Sequence, residues 1–257
     1  MKKPFAATVI VVAALVAACG GLPEVGDPVG EPVLPDLVPD PPVDVRVTLA
    51  DDGTEIVRFS STLVNVGEGD FELRATLDSE QWAVQQEIPY SESGGELIAT
   101  DAGMVWGGDG HDHWHIERVA SYHLVPLDED GEAVDDGVDR PDAKIGFCFF
   151  DHSQMVLTDV EEPVFSVDLC GKEDDTEIMM GMSPGWADVY GFDLPGQSID
   201  IKDLPAGMYR IWAEADAQGW FTEENEDNNV TWVDIELFET EGGLRAARVI
   251  DVGPRPR

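Results

Sequence analysis

The chain has 257 residues, 43% of them hydrophobic, which is enough to bury one large core or two small ones. Its charge is far from balanced, with 53 acidic against 15 basic residues and a formal net charge of -38. A field that negative excludes ordinary nucleic-acid binding through phosphate contacts and favours cationic partners, although solubility or adaptation to salt would give the same surface.

The first segment, "MKKPFAATVIVVAALVAACGG", has two lysines, an apolar run and then small residues. This is the pattern of an export signal over residues 1–18, and the apolar run is short for a membrane span. Its end, "VAAC", resembles the lipobox of bacterial lipoproteins. That predicts an exported cell-surface or periplasmic lipoprotein, anchored to the membrane by a lipid on Cys19. The alternative is an ordinary cleaved signal that happens to contain a cysteine. With Cys19 lipidated, Cys148 and Cys170 remain. Outside the cytoplasm they are expected to pair, closing a loop worth roughly 3 kcal/mol in the chain-entropy model; two buried free thiols are the competing reading.

Residues 19–33 are rich in proline and glycine and read as a tether. From there the pattern predicts one domain over 34–240. In "VDVRVTL", Val43, Val45, Val47 and Leu49 alternate with Asp44, Arg46 and Thr48, which is strand periodicity. Similar segments follow near 55–64, 113–125, 143–150, 207–215 and 229–238, separated by the turn signals "DDG", "GEGD", "SGGE" and "LPAG". No amphipathic helix follows the signal peptide. Many short strands with glycine and proline between them predict an all-β protein, a β-sandwich with long irregular loops. Residues 126–142 and 170–177 read as long acidic loops, and 241–257 as a poorly ordered C-terminal tail.

The segment "GGDGHDHWHIERVASYH" (107–123) carries four of the five histidines. His111, His113 and His115 occupy alternate positions and would share one face of a strand. Same-face neighbours stand roughly 6.8 Å apart along a strand, so two imidazoles reach one ion readily. Three converge only if the backbone bends or bulges, and Gly107, Gly108 and Gly110 lower the cost of that irregularity. Three imidazoles without a thiolate suit copper or zinc and leave ligand positions open, as a catalytic metal requires. An exposed, tag-like histidine cluster is the bland alternative.

Beyond this run the chain resembles the catalytic domain of lysyl oxidase, the copper and quinone amine oxidase of lysine side chains. "DLVPDP" (36–41) is similar to the family's opening segment, "VRFSSTLVNVGEGDFEL" (57–73) to its "RF…N.G..DF" segment and "HDHWH" (111–115) to its copper motif. "KIGFC" (144–148), "MSPGWADVYGFDL" (182–194), "IDIKDLPAGMY" (199–209) and "ENEDNNV" (224–230) follow in order, so that the resemblance covers about residues 34–237. It implies copper on His111, His113 and His115. Lys144 and Tyr190 would be the two halves of a self-derived lysine tyrosylquinone, and Cys148–Cys170 would match a family disulfide. A calcium site of the vertebrate members falls on Asp36, Leu37 through its carbonyl, Glu223, Asn225, Asn228 and Asn229. Asn225 stands where the family has a carboxylate, which removes a charge while keeping an oxygen donor.

A second departure concerns the proton acceptor. Vertebrate members have a histidine just before the tyrosine of the strand after the copper motif, proposed there as the base. Here Ser121 precedes Tyr122. His123 is the neighbouring candidate base, but strand parity turns it to the face opposite Tyr122. The resemblance implies oxidation of primary amines on lysine-containing peptides or small molecules to aldehydes by molecular oxygen, with release of ammonia and hydrogen peroxide. Two non-catalytic alternatives stand beside it. One is a copper- or zinc-binding module that uses the histidines alone; the other is a cell-surface β-sandwich of the adhesion type, to which "GMYRIWAEADAQGWFTEENEDNN" is also similar.

Overall fold

Alternating hydrophobicity is realised as antiparallel pairing throughout the computed structural model, which describes residues 21–108, 111–134, 140–141, 146–243 and 245–257. The signal peptide, Cys19 and Lys144 lie outside the described residues. One sheet is built on β2 (Glu55–Asn65), flanked by β1 (Leu37–Leu49) and β13 (Trp186–Tyr190), with β11 (Ser153–Gln154) beyond β13 and β14 (Ser198–Asp200) also on β2. A second has the order β17 (Arg245–Val252), β16 (Val230–Glu239), β15 (Gly207–Ala215), β8 (Ala120–Pro126), β9 (Arg140–Pro141). A third runs β12 (Glu177–Met182), β3 (Phe71–Asp78), β4 (Gln81–Pro89), β5 (Gly95–Ala99). The smallest places β7 (His111–Glu117) between β10 (Gly146–Phe147) and β6 (Met104–Gly108). Among the described residues the helical elements are two short 3-10 turns, Val167–Cys170 and Glu226–Asn228, so the expected all-β sandwich is what forms.

The first two sheets pack face to face. Phe59 of β2 meets Tyr122 of β8 at 5.1 Å between ring centroids, and Val57, Leu63, Ile211, Val233 and Ile235 fill the space around them. Phe71 continues the core towards the third sheet through edge-on contacts with Phe149 and Phe221. This continuity gives one core rather than two.

Three sequence expectations are modified by the packing. The apolar face of β1 is broken by two irregularities, between Asp40 and Val43 and between Val43 and Arg46, and Asp44 sits at φ 55°. Each inserts one residue, so the alternation breaks at Val43, which is exposed, while Val45 and Val47 pack against the core and Leu49, the last residue of the strand, is exposed. The stretch read as a tether is docked from residue 22 on. Val29 and Pro32 bridge to Ser93 and Tyr90, the Val33 amide bonds Pro89 O at 2.8 Å, and Arg74 donates to Pro23 O. Proline-rich chain can satisfy its remaining polar groups on an adjacent hairpin, which composition does not reveal.

The C-terminal tail is likewise ordered. Residues 245–252 form β17 on β16, and Arg245 donates to Glu55 and to the carbonyls of Ile201 and Leu204. Arg255 reaches both carboxylate oxygens of Asp40, at 2.9 and 2.8 Å.

Candidate active site and cation cluster

The histidine strand contains the irregularity that its spacing requires. Across β6 and β7 the register passes from Trp106 opposite Trp114 to Gly108 opposite His111, two residues on one strand against three on the other. This bulge lies between His111 and Trp114, within the motif. The rings of His113, inside the bulge, and His115, just after it, stand 4.7 Å apart. His115 is buried, with 3% of its surface exposed. The intervening Trp114 faces the other way, against Trp82 and Trp106, and its indole N–H donates to Lys172 O at 2.9 Å. That anchor fixes which face the histidines present.

β10 lies against the same strand, pairing Gly146 with Glu117 and Phe147 with Ile116. A Cβ at position 146 would come within 2.3 Å of Ile116 O and 3.1 Å of the His115 Cβ, so glycine is what allows this close approach. On the far side stands Tyr190, whose ring is 6.4 Å from that of His115 and 5.0 Å from Phe147. Its hydroxyl accepts the Cys148 amide N–H at 2.9 Å. Cys148 in turn is joined to Cys170, with Cα atoms 5.8 Å apart, so the predicted disulfide is present. Burial pushes the Tyr190 phenol well above its ordinary range; the charge of Asp188 adds to this, and the Cys148 N–H opposes it.

Asp188 is a residue that the sequence reading missed. It is fully buried and, two positions before Tyr190 on an unbroken stretch of β13, shares its face. The alternation in "ADVY" was the available signal. His123, the expected candidate base, is placed elsewhere. Tyr122 points into the core, whereas His123 lines a surface pocket of about 330 Å³ with Val125, Trp212, Glu214 and Val230. None of those residues belongs to the histidine and tyrosine centre.

Of the residues expected to bind calcium, Asp36, Leu37, Glu223, Asn228 and Asn229 are linked by hydrogen bonds. The Leu37 amide donates to Glu223, Asn229 Nδ2 donates to the other oxygen of Glu223 at 3.1 Å, and Asn228 Nδ2 donates to Asp36 at 3.0 Å. The Asn225 side chain accepts the Asp227 N–H at 3.1 Å and caps the 3-10 turn. Burial pushes the Glu223 carboxyl up to about 8, with Asp216 and Glu226 adding to the shift against the Leu37 N–H and Asn229. Burial also raises Asp36 and Asp216. A carboxylate dehydrated in this way is stabilised by a cation.

The lysyl oxidase family model matches residues 103–244, more than half of the chain. The chain belongs to the lysyl oxidase family. The matched stretch contains the histidine strand, β10, the disulfide and Tyr190. No curated protein matches the chain significantly. Among lysyl oxidase features, the close pairing of His113 with His115 beside a buried tyrosine is what the tertiary structure adds to the family assignment.

Proposed function

We propose that this lysyl oxidase family member is a copper- and quinone-dependent amine oxidase. The observation that carries the reading is the convergence of His113 and His115 beside Tyr190, whose hydroxyl is bound to the amide of Cys148. Two buried or half-buried imidazoles brought together by a bulge, with no thiolate among them, suit copper, and His111 at the start of the same strand is the third donor. Bound copper would supply the redox chemistry that, with oxygen, converts the Tyr190 ring to a quinone.

The chain's own part is positioning. Cys148 holds the phenol, and Phe147 packs on the ring and excludes water. Lys144 is the proposed partner that bonds to the ring through its amine nitrogen. It precedes Gly146 by two positions, and two residues of chain span at most about 7 Å. A neutral lysine amine is the nucleophile this step needs. In the completed reaction R–CH2–NH2, O2 and H2O give R–CHO, NH3 and H2O2. In place of His123, Asp188 is the carboxylate offered to accept the substrate's α-proton, since it lies on the Tyr190 face of β13.

The net charge of -38 favours cationic substrates, lysine-containing peptides or small primary amines, and disfavours nucleic acid. Residues 1–19 support export and lipid anchoring at a bacterial cell surface or in the periplasm. The test is quinone staining of copper-loaded protein together with peroxide release from a simple primary amine. Stain and peroxide are expected. Bound copper without stain would overturn the oxidase reading and leave a metal-binding module.

A further inference from the structure

The outer face of β15 carries an aromatic ring and a carboxylate that the oxidase reading does not use. Ile211 and Ala213 are buried in the core, so Arg210, Trp212 and Glu214 share the opposite face. Trp212 stands opposite His123 of β8 and Trp232 of β16, which lines up rings across adjacent strands. Trp212 and Glu214, both half-buried, line the pocket of about 330 Å³ together with His123, Val125 and Val230. That volume falls within the range of small-ligand sites, roughly 300–1,000 Å³.

The chain's own arginines show what such a pairing of ring and carboxylate takes. Arg46 lies 3.5 Å from the Phe192 ring centroid and pairs with Asp44. Arg248 lies 6.0 Å from the Phe238 centroid and donates to Glu236. Arg210 stacks over Trp232 at 4.0 Å and bonds both oxygens of Asp234, at 2.6 and 2.8 Å. Each guanidinium bridges an aromatic face and a carboxylate. Trp212 and Glu214 repeat the combination, yet no hydrogen bond or ion pair among the described residues reaches the Glu214 carboxylate. Arg210 also lies 5.1 Å from the Trp212 centroid, but Asp234 holds its charge, so Glu214 is left without a counter-charge.

We propose that this pocket docks an arginine side chain of a basic polypeptide. The guanidinium stacks on Trp212 and donates to Glu214, and its aliphatic stem lies against Val125 and Val230. A planar guanidinium suits an indole face and a carboxylate better than a compact, strongly hydrated ammonium does. The charge agrees, since no lysine or arginine lines the pocket and the net charge of -38 draws basic chains. An arginine carries no primary amine and this pocket is separate from the histidine and tyrosine centre, so the side chain is held here rather than oxidised. Such a contact would retain a basic chain while one of its lysines reacts elsewhere, but the docking itself does not rest on the oxidase reading.

The test uses the full, metal-free chain and follows the indole N–H resonances of the tryptophans. It is titrated with the blocked tripeptide acetyl-Gly-Arg-Gly-amide, and with the lysine and glutamine versions as controls. The arginine peptide is expected to shift the Trp212 resonance saturably, the lysine peptide to bind several-fold more weakly and the glutamine peptide not at all. Glu214→Gln, at a side chain that makes no bond within the fold, should keep the wild-type melting temperature and weaken the arginine peptide by about tenfold or more. Trp212→Leu should abolish the binding, read from the peptide's own resonances. Unchanged affinity in Glu214→Gln, or no saturable shift at Trp212 in wild type, would overturn the proposal. Equal binding of the lysine peptide would overturn the assignment to guanidinium. A Trp212 shift with a neutral glucose oligosaccharide but not with the arginine peptide would replace it with a glycan platform. None of these results involves quinone or peroxide, so failure here and failure of the oxidase reading are distinguishable.

Discussion

Replacing Tyr190 by phenylalanine removes one oxygen and separates two roles of that residue. The ring stays, with its contact to Phe147 at 5.0 Å, so almost no cavity opens. What is lost is the acceptor for the Cys148 N–H, bonded at 2.9 Å in a position where Cys148 is fully buried and Tyr190 is 4% exposed. A buried donor left without its partner costs about 1–3 kcal/mol. For a chain of this size each kcal/mol lowers the melting temperature by about 2–4 °C, so a fall of roughly 2–12 °C is expected. The melt is run on metal-free protein, so that no cofactor chemistry contributes to the difference. The same variant, loaded with copper, should bind the metal as wild type does, because the imidazoles are untouched, and should give neither quinone stain nor peroxide. An unchanged melting temperature would refute the role of the Cys148–Tyr190 bond, and any remaining quinone stain would refute Tyr190 as the cofactor precursor.

Asp188→Asn should preserve copper binding and stain while lowering kcat by about 10^2–10^4 and altering its pH profile; unchanged kcat would exclude Asp188 as the proton acceptor. Glu72 provides a pH prediction. Burial, reinforced by Glu87 and opposed by Arg74, raises its carboxyl from 4.5 to about 7. Between these values the folded state keeps a proton that the unfolded state has lost, so the contribution of Glu72 to stability is fully present below pH 4.5 and is lost as pH rises through about 7. Denaturant titrations of Glu72→Gln from pH 5 to 8 should lack this decline; an identical slope in both proteins would exclude Glu72 as its source. Replacing Cys148 and Cys170 together by serine should cost about 3 kcal/mol in the chain-entropy model, measured by denaturant midpoint at constant m. Truncation after residue 244 uncovers the edge of β16 and removes the bonds of Arg245 and Arg255; lower melting temperature and association on size exclusion are expected, and a monomer of unchanged stability would contradict a structural role for β17.

Much of this molecule is written in local pattern. Period-two alternation and frequent turn residues sufficed for an all-β chain, and the alternate histidines predicted both a shared face and the need for a bulge. Parity alone placed His123 opposite Tyr122. The ordered segments at 22–33 and 245–257 were not legible, because their hydrogen bonds go to the 89–95 hairpin, Arg74, β16 and Asp40, all remote in sequence. Asp188 was passed over because the alternation in "ADVY" puts it on the face of Tyr190 but does not show that this face is buried.

The sequence by itself determined which chemistry is available, since residue type fixes donor set and charge: imidazoles on alternate positions, a lysine and a tyrosine in family motifs, two cysteines fit to pair, and a strongly acidic surface. Tertiary structure decided which of these groups meet. The bulge in β7, the close approach of Gly146 and the Cys148–Tyr190 bond depend on register between segments apart in the chain, and the bonds of Asp36 to Asn228 and of Leu37 to Glu223 join residues almost two hundred positions apart. Register and convergence are set by long-range packing, which leaves no periodicity in the local sequence.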